Sequence, residues 1–179
     1  KILQWRRGPD RWVLKCPQHL EQFSVLKEVF PEAAIAITHR DPVSVIQSSI
    51  TMLAYGQRMN RRKVETAALL EYWTERVEHL LRACVRDRDS LPEETTTDVI
   101  FHQFMADEMG TVERIYGKAG VEMTREARGW LDGFLRENPR GKHGRVVYDL
   151  EGDFGVSPDE LRERFAFYFE RFPVRAEAN

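Results

Sequence analysis

The sequence predicts an α/β protein, with a parallel sheet flanked by helices and a helix-rich C-terminal half. Three observations carry this reading. An apolar run, Ala33-Ala34-Ile35-Ala36-Ile37, stops abruptly at Thr38-His39-Arg40-Asp41-Pro42, as a buried strand does at a turn. A helix-spaced segment, His19 to Phe30, separates that run from an earlier strand candidate, Trp12 to Lys15, which makes a strand–helix–strand unit with parallel strands and a right-handed crossover. Beyond Val64 the dominant pattern is helical amphipathicity.

Each element has a local cause. Arg7 to Arg11 reads as a turn from its Gly-Pro-Asp content, and Pro17 ends the strand at Trp12 to Lys15. In the following helix Leu20, Phe23, Val25, Leu26 and Val29 fall largely on one side, and Pro31 stops it. The second strand is Ala33 to Thr38. Asp41 is placed to cap the next helix, and Pro42 suits its first position, where a missing N–H costs nothing. That helix runs to about Tyr55. After a basic polar segment, Gly56 to Lys63, the longest helix spans about Val64 to Val85, with Val64, Ala68, Trp73, Val77, Leu80, Leu81 and Cys84 as its buried stripe. Asp98 to Phe104 reads as a third strand, and helices are expected over Ala106 to Ala119 and Thr124 to Glu137. Asn138 to Arg145 is a Gly-rich basic loop. Ser157-Pro158-Asp159-Glu160 forms a capping box ahead of a helix whose Leu161, Phe165, Tyr168 and Phe169 point to core packing.

Composition narrows the function classes. The chain has 179 residues, 42% hydrophobic and 31% charged, enough for one domain with a substantial core, and the whole of 1–179 is read as a single domain. The net charge of −2 gives no global basic field, so nucleic acid is not an expected partner and any anion site must be local. No apolar run approaches the roughly 20 residues of a transmembrane helix. Cys16 and Cys84 have no CxxC spacing and read as reduced thiols of a cytoplasmic protein. The five histidines show no paired ligand spacing, so no metal is expected. Lys1 to Trp5 reads as the end of a helix already under way, which points to the C-terminal portion of a longer protein.

Three cationic points lie at junctions: Lys15, Arg40, and Arg140, Lys142 and Arg145 of the Gly-rich loop. In open parallel sheets the carboxyl ends of the strands line the ligand crevice, so Lys15 and Arg40 are expected to point into one crevice. Arg40 offers a planar fork for an oxyanion, and Ser48, eight residues later, offers a hydroxyl from the adjoining helix. Gly141 and Gly144 let backbone N–H groups approach an anion beside Lys142 and Arg145. Residue type alone leaves plainer readings open: an ion pair for Arg40, a helix-surface hydroxyl for Ser48, and an exposed turn for the loop.

Together these segments resemble a known family. "WVLKCPQHL", then "FPEAAIAITHRDPVSVIQS", then "PRGKHGRVVYDLEGDFG" are similar, in order, to motifs of the P-loop sulfotransferases, which use 3′-phosphoadenosine 5′-phosphosulfate (PAPS). The resemblance implies a P-loop-NTPase-like sulfotransferase fold, present in part. It implies that Arg40 and Ser48 hold the 3′-phosphate and that Arg140, Gly141, Lys142, Gly144 and Arg145 belong to a basic loop closing over the nucleotide. Lys15 is implied as the charge-stabilising residue and His19 as the general base, with His39 in a supporting or adenosine-side role. Cys16 stands where serine is usual. No Gly-rich 5′-phosphosulfate loop and no GxxxxGK[ST] match occurs between Lys1 and Asn179, so the chain is read as the half that holds the 3′-phosphate and as incomplete for catalysis alone. The implied acceptor is a hydroxyl-bearing small molecule or lipid, given Met52, Leu53, Tyr55 and Met59; Arg58, Arg61, Arg62 and Lys63 leave a polyanionic sugar as the alternative. Homodimer formation is left open. The competing readings are a non-catalytic nucleotide-binding domain that keeps the fold and a nucleotide-dependent phosphotransferase.

Overall fold

Two parallel strands organise the fold: β1 (Ile35–His39) pairs with β2 (Thr96–Ile100), in register from Ile35 opposite Thr96 to His39 opposite Ile100. The structure is a computed structural model and describes residues 11–139, 141, 142, 144 and 149–177. β1 alternates strictly, with Ile37 and His39 turned inward, whereas β2 is covered on both faces as central parallel strands are.

Parallel strands need a long crossover. Here α1 (Phe23–Val29) precedes β1, and α2 (Pro42–Arg58) and α3 (Thr66–Asp87) connect it to β2. α2 starts where expected: Asp41 Oδ1 accepts from the Val43 N–H at 2.9 Å, and Pro42 occupies the first turn. Val43, Ile46, Ile50 and Ala54 form its buried face. On α3 the buried face is Leu69, Leu70, Val77, Leu80, Leu81 and Cys84, while Ala68 is exposed. After β2 come α4 (Phe101–Ala106), α5 (Glu108–Lys118), α6 (Arg125–Glu137), α7 (Leu150–Phe154), α8 (Pro158–Arg164) and α9 (Ala166–Arg171). The C-terminal stripe is core as expected at Leu161, Phe165 and Tyr168, which join Ile37, Val43, Ile46, Ile50, Leu81 and Phe172 in one buried cluster, while Phe169 packs against it half-buried. That helix breaks at Phe165 into α8 and α9.

Three expectations are corrected. Residues 12–15 form no strand; Trp12, Val13 and Leu14 are 48%, 98% and 63% exposed, and no described strand pairs with them. A strand needs a neighbour to satisfy its ladder, and β1 finds β2 instead. The segment from His19 begins as a 3-10 turn, Pro17–Glu21, before α1. The strand read at Asp98 to Phe104 starts and ends earlier, because Phe101 opens α4. The readings at Lys1 to Trp5 and, apart from Arg11, at the Arg7 to Arg11 turn lie outside the described residues. Among the described residues no helix is long and apolar enough to cross a membrane.

Phe165 is fully buried at the break between α8 and α9. Phe165→Ala is expected to lower the unfolding free energy by about 3–5 kcal/mol, read from the urea midpoint at unchanged slope.

Candidate functional site

His39 ends β1 with its side chain buried at 1% exposure. Its Nε2 lies 2.8 Å from Asp98 Oδ1 on β2, and its Nδ1 lies 2.7 Å from the Tyr168 hydroxyl on α9. Asp98 also accepts from Arg88, whose Nε lies 2.9 Å from Oδ2 and whose Nη2 lies 2.8 Å from it. Burial pushes the Asp98 carboxyl up, but hydrogen bonds from His39 and Arg88 outweigh it and hold it at about 2. Ionised Asp98 only accepts, which assigns the imidazole proton to Nε2 and leaves Nδ1 to accept from Tyr168. Burial pushes the Tyr168 phenol up, so it stays a donor. The Phe172 ring lies against the imidazole at 4.1 Å between centroids.

Arg40 follows directly, at the C-terminal end of β1. Its Nε donates to Glu177 Oε1 and its Nη2 to Glu177 Oε2, both at 2.7 Å. The guanidinium lies over the Phe101 ring at 4.3 Å, which orients its plane. A cleft of about 370 Å³ opens here, lined by His39, Arg40 and Asp41 from the β1 end, by Phe101 and His102 after β2, and by residues 174–177. The carboxyl ends of parallel strands thus line a crevice, as the sequence predicts. Asp41 is fully buried beside it: Oδ2 accepts from the Glu177 N–H at 2.9 Å and from Arg162 Nη2 at 3.2 Å.

The other predicted residues are placed as follows. Ser48 is half-buried on α2, two turns beyond Arg40, and does not line the cleft. Gln47 beside it is buried; with its amide oriented by hydrogen bonding, the carbonyl accepts from Leu150 N–H at 3.0 Å and Asp149 N–H at 3.2 Å. That contact holds the start of α7 against α2, one residue before Ser48. Within the loop Gly141 and Gly144 have φ of +84° and +90°, a region that favours glycine, and Lys142 is exposed. Arg140, His143 and Arg145 lie outside the described residues. Lys15 is exposed in an extended segment, and His19 is half-buried in the Pro17–Glu21 turn, which packs on α3. Neither lines the Arg40 cleft, so the shared crevice expected for Lys15 and Arg40 does not form among the described residues: residues 12–15 are not in the sheet.

Asp98, Arg88, Gln47 and Glu177 had no role in the sequence reading and Tyr168 was read only as core, because most of their contacts are to partners distant in the chain. The one available signal was His39 itself, an ionisable group at the inward end of an apolar strand. Cys84 is buried and its thiol is pushed up to about 12 by burial, which makes it inert. Among the described residues no cluster of His, Cys, Asp or Glu is arranged to hold a metal ion. A second concavity of about 380 Å³ lies between α2 and α3, lined by Leu53, Gln57, Arg61, Tyr72 and Trp73 among others.

The fold is that of an α/β protein with a cleft at the carboxyl ends of its parallel strands. Two solved structures share the fold. Sulfotransferase STF9 from Mycobacterium avium matches with a TM-score of 0.81 at 24% identity, over 96% of this chain and 44% of that one. Sulfotransferase STF1 from Mycobacterium tuberculosis matches with a TM-score of 0.66 at 26% identity, over 88% of this chain and 40% of that one. This chain therefore spans less than half the length of either. No curated protein sequence matches it. The profile of the Sulfotransferase family matches residues 1–125, and the chain belongs to that family.

The Asp98 contacts generate a pH prediction. Its folded value lies below the ordinary 3.8, so its contribution is present above that value and lost as pH falls through about 2. Between about pH 5 and pH 2 the wild type is expected to lose about 2 kcal/mol more stability than Asp98→Asn, measured by urea unfolding at stepped pH.

Proposed function

We propose that the chain carries the 3′-phosphate half of the donor site of an enzyme that transfers a sulfuryl group from PAPS to a hydroxyl of a small molecule or lipid. Family membership supports sulfuryl transfer in general. One observation carries the finer reading. In a cleft at the strand ends, Arg40 presents a guanidinium edge that engages two carboxylate oxygens at once. A phosphate monoester offers the same pair of oxygens to the same fork. The cleft volume, about 370 Å³, falls within the range of small-ligand sites.

In this reading Arg40 holds the 3′-phosphate at the cleft, while the Ser48 hydroxyl, outside the cleft lining on α2, is a donor implied by the family resemblance alone. Gly141, Lys142 and Gly144, with Arg140 and Arg145, close over the nucleotide. Bound PAPS supplies an activated sulfuryl group. His19 takes the acceptor hydroxyl proton, and the Lys15 ammonium stabilises charge on the leaving oxygen. Lys15 and His19 do not line the Arg40 cleft, so their roles rest on the family resemblance. The concavity between α2 and α3, with aromatic Tyr72 and Trp73 beside Leu53, suits an apolar hydroxyl-bearing acceptor. No metal is assigned a role, the protein is read as cytoplasmic, and 1–179 as one sulfotransferase domain that is part of a longer chain.

Calorimetry on the full-length protein with adenosine 3′,5′-bisphosphate tests the reading. Arg40→Ala is expected to weaken binding by about 10- to 100-fold, with only partial recovery in Arg40→Lys, which lacks the planar fork. Unchanged affinity in Arg40→Ala refutes the assignment, and a preference for ATP with Mg²⁺ points instead to phosphoryl transfer.

A further inference from the structure

The guanidinium assigned to a phosphate already holds an anion that the chain itself supplies. Glu177 meets Arg40 with both carboxylate oxygens, and the pair is only partly exposed, at 38% for the Arg40 side chain and 24% for Glu177. Its backbone is fixed as well. The Glu177 N–H donates to Asp41 Oδ2 at 2.9 Å, and its carbonyl accepts from Arg162 Nη2 at 2.8 Å. The apolar anchor of this arm lies upstream. Phe172 is buried against His39 and Val174 is half-buried on the core, whereas Arg175 and Ala176 are exposed. No apolar side chain of residues 175–177 is buried, so the segment can leave the Arg40 edge without moving a core side chain once the Glu177 contacts to Asp41 and Arg162 open.

We propose that Glu177 is an internal competitor for the nucleotide phosphate: its carboxylate fills the Arg40 subsite and leaves it when a phosphate monoester arrives. This rests on reading Arg40 as a phosphate ligand. Charge sets the direction of exchange. A phosphate monoester carries about −1.5 to −2 near neutral pH, against −1 for a carboxylate, so it outcompetes Glu177 where chloride and simple carboxylates do not. The closed arm lowers the apparent affinity for any ligand bearing that phosphate by the fraction of time the subsite is filled. It leaves ligands lacking that phosphate unaffected.

The test compares the full-length wild type with Glu177→Gln by calorimetry, using adenosine 3′,5′-bisphosphate, adenosine 5′-monophosphate and inorganic phosphate. The variant is expected to bind the bisphosphate and inorganic phosphate about 3- to 10-fold more tightly and the monophosphate unchanged. Equal or weaker binding of both the bisphosphate and inorganic phosphate overturns the competitor role. Equal binding of the bisphosphate to both proteins, with Arg40→Ala weakened, removes that role and keeps the nucleotide site. If neither protein binds the bisphosphate while inorganic phosphate binds the variant more tightly, the competitor role stands and the nucleotide reading falls. Amide hydrogen exchange gives a second readout. Saturating bisphosphate is expected to speed exchange at the Glu177 N–H, which donates to Asp41 in the closed arm. Unchanged protection with ligand bound counts against displacement.

Discussion

The imidazole of His39 is the joint from which the site is suspended. It is buried, and it spends both ring nitrogens on partners from different parts of the chain, Asp98 on β2 and Tyr168 on α9. In a low-dielectric interior such a network is stabilising only while every member is satisfied, since removing one leaves the others buried and unpaired. Asp98 is satisfied in turn by Arg88, itself 4% exposed. The result is a rigid cross-tie among the two strands and the C-terminal helices. Arg40, the next residue along the backbone, inherits its position from that tie, and the Phe101 ring fixes the plane of its guanidinium.

What the sequence made legible was local. The apolar run of β1, the Asp41 cap with Pro42, and most of the buried α3 and C-terminal stripes rest on signals within a few residues of each other, and these appear in the structure. Pairing is not local. Nothing in Trp12 to Lys15 or in Ile35 to His39 states which strand will be the neighbour, and the one chosen lies beyond two long helices. The β-prone residues at 12–15 therefore misled the topology while leaving the fold class right.

The site divides along the same line. Arg40 was visible because a guanidinium at a strand end, followed by a proline bend, is unusual by itself. His39's partners were not, because the contacts to Asp98 and Tyr168 span 59 and 129 residues, and the Arg40–Glu177 pair spans 137. Charged residues are frequent in this chain, at 31%, so a distant acid cannot be matched to a given arginine from composition. The Gly-rich loop was recognised from its glycines, but the contact of Gln47, an unremarkable helix residue, with the start of α7 emerges only with the 149–150 backbone in place.

Asp41 carries two loads on one carboxylate. Oδ1 holds the start of α2 through Val43, and Oδ2 holds Glu177 and Arg162. An asparagine in its place has a single carbonyl oxygen and an amide group that cannot accept, so it must forfeit one task to perform the other. The isosteric swap that protein engineers regard as mild is therefore disallowed at this position, and the helix start and the C-terminal tether are chemically bound to vary together.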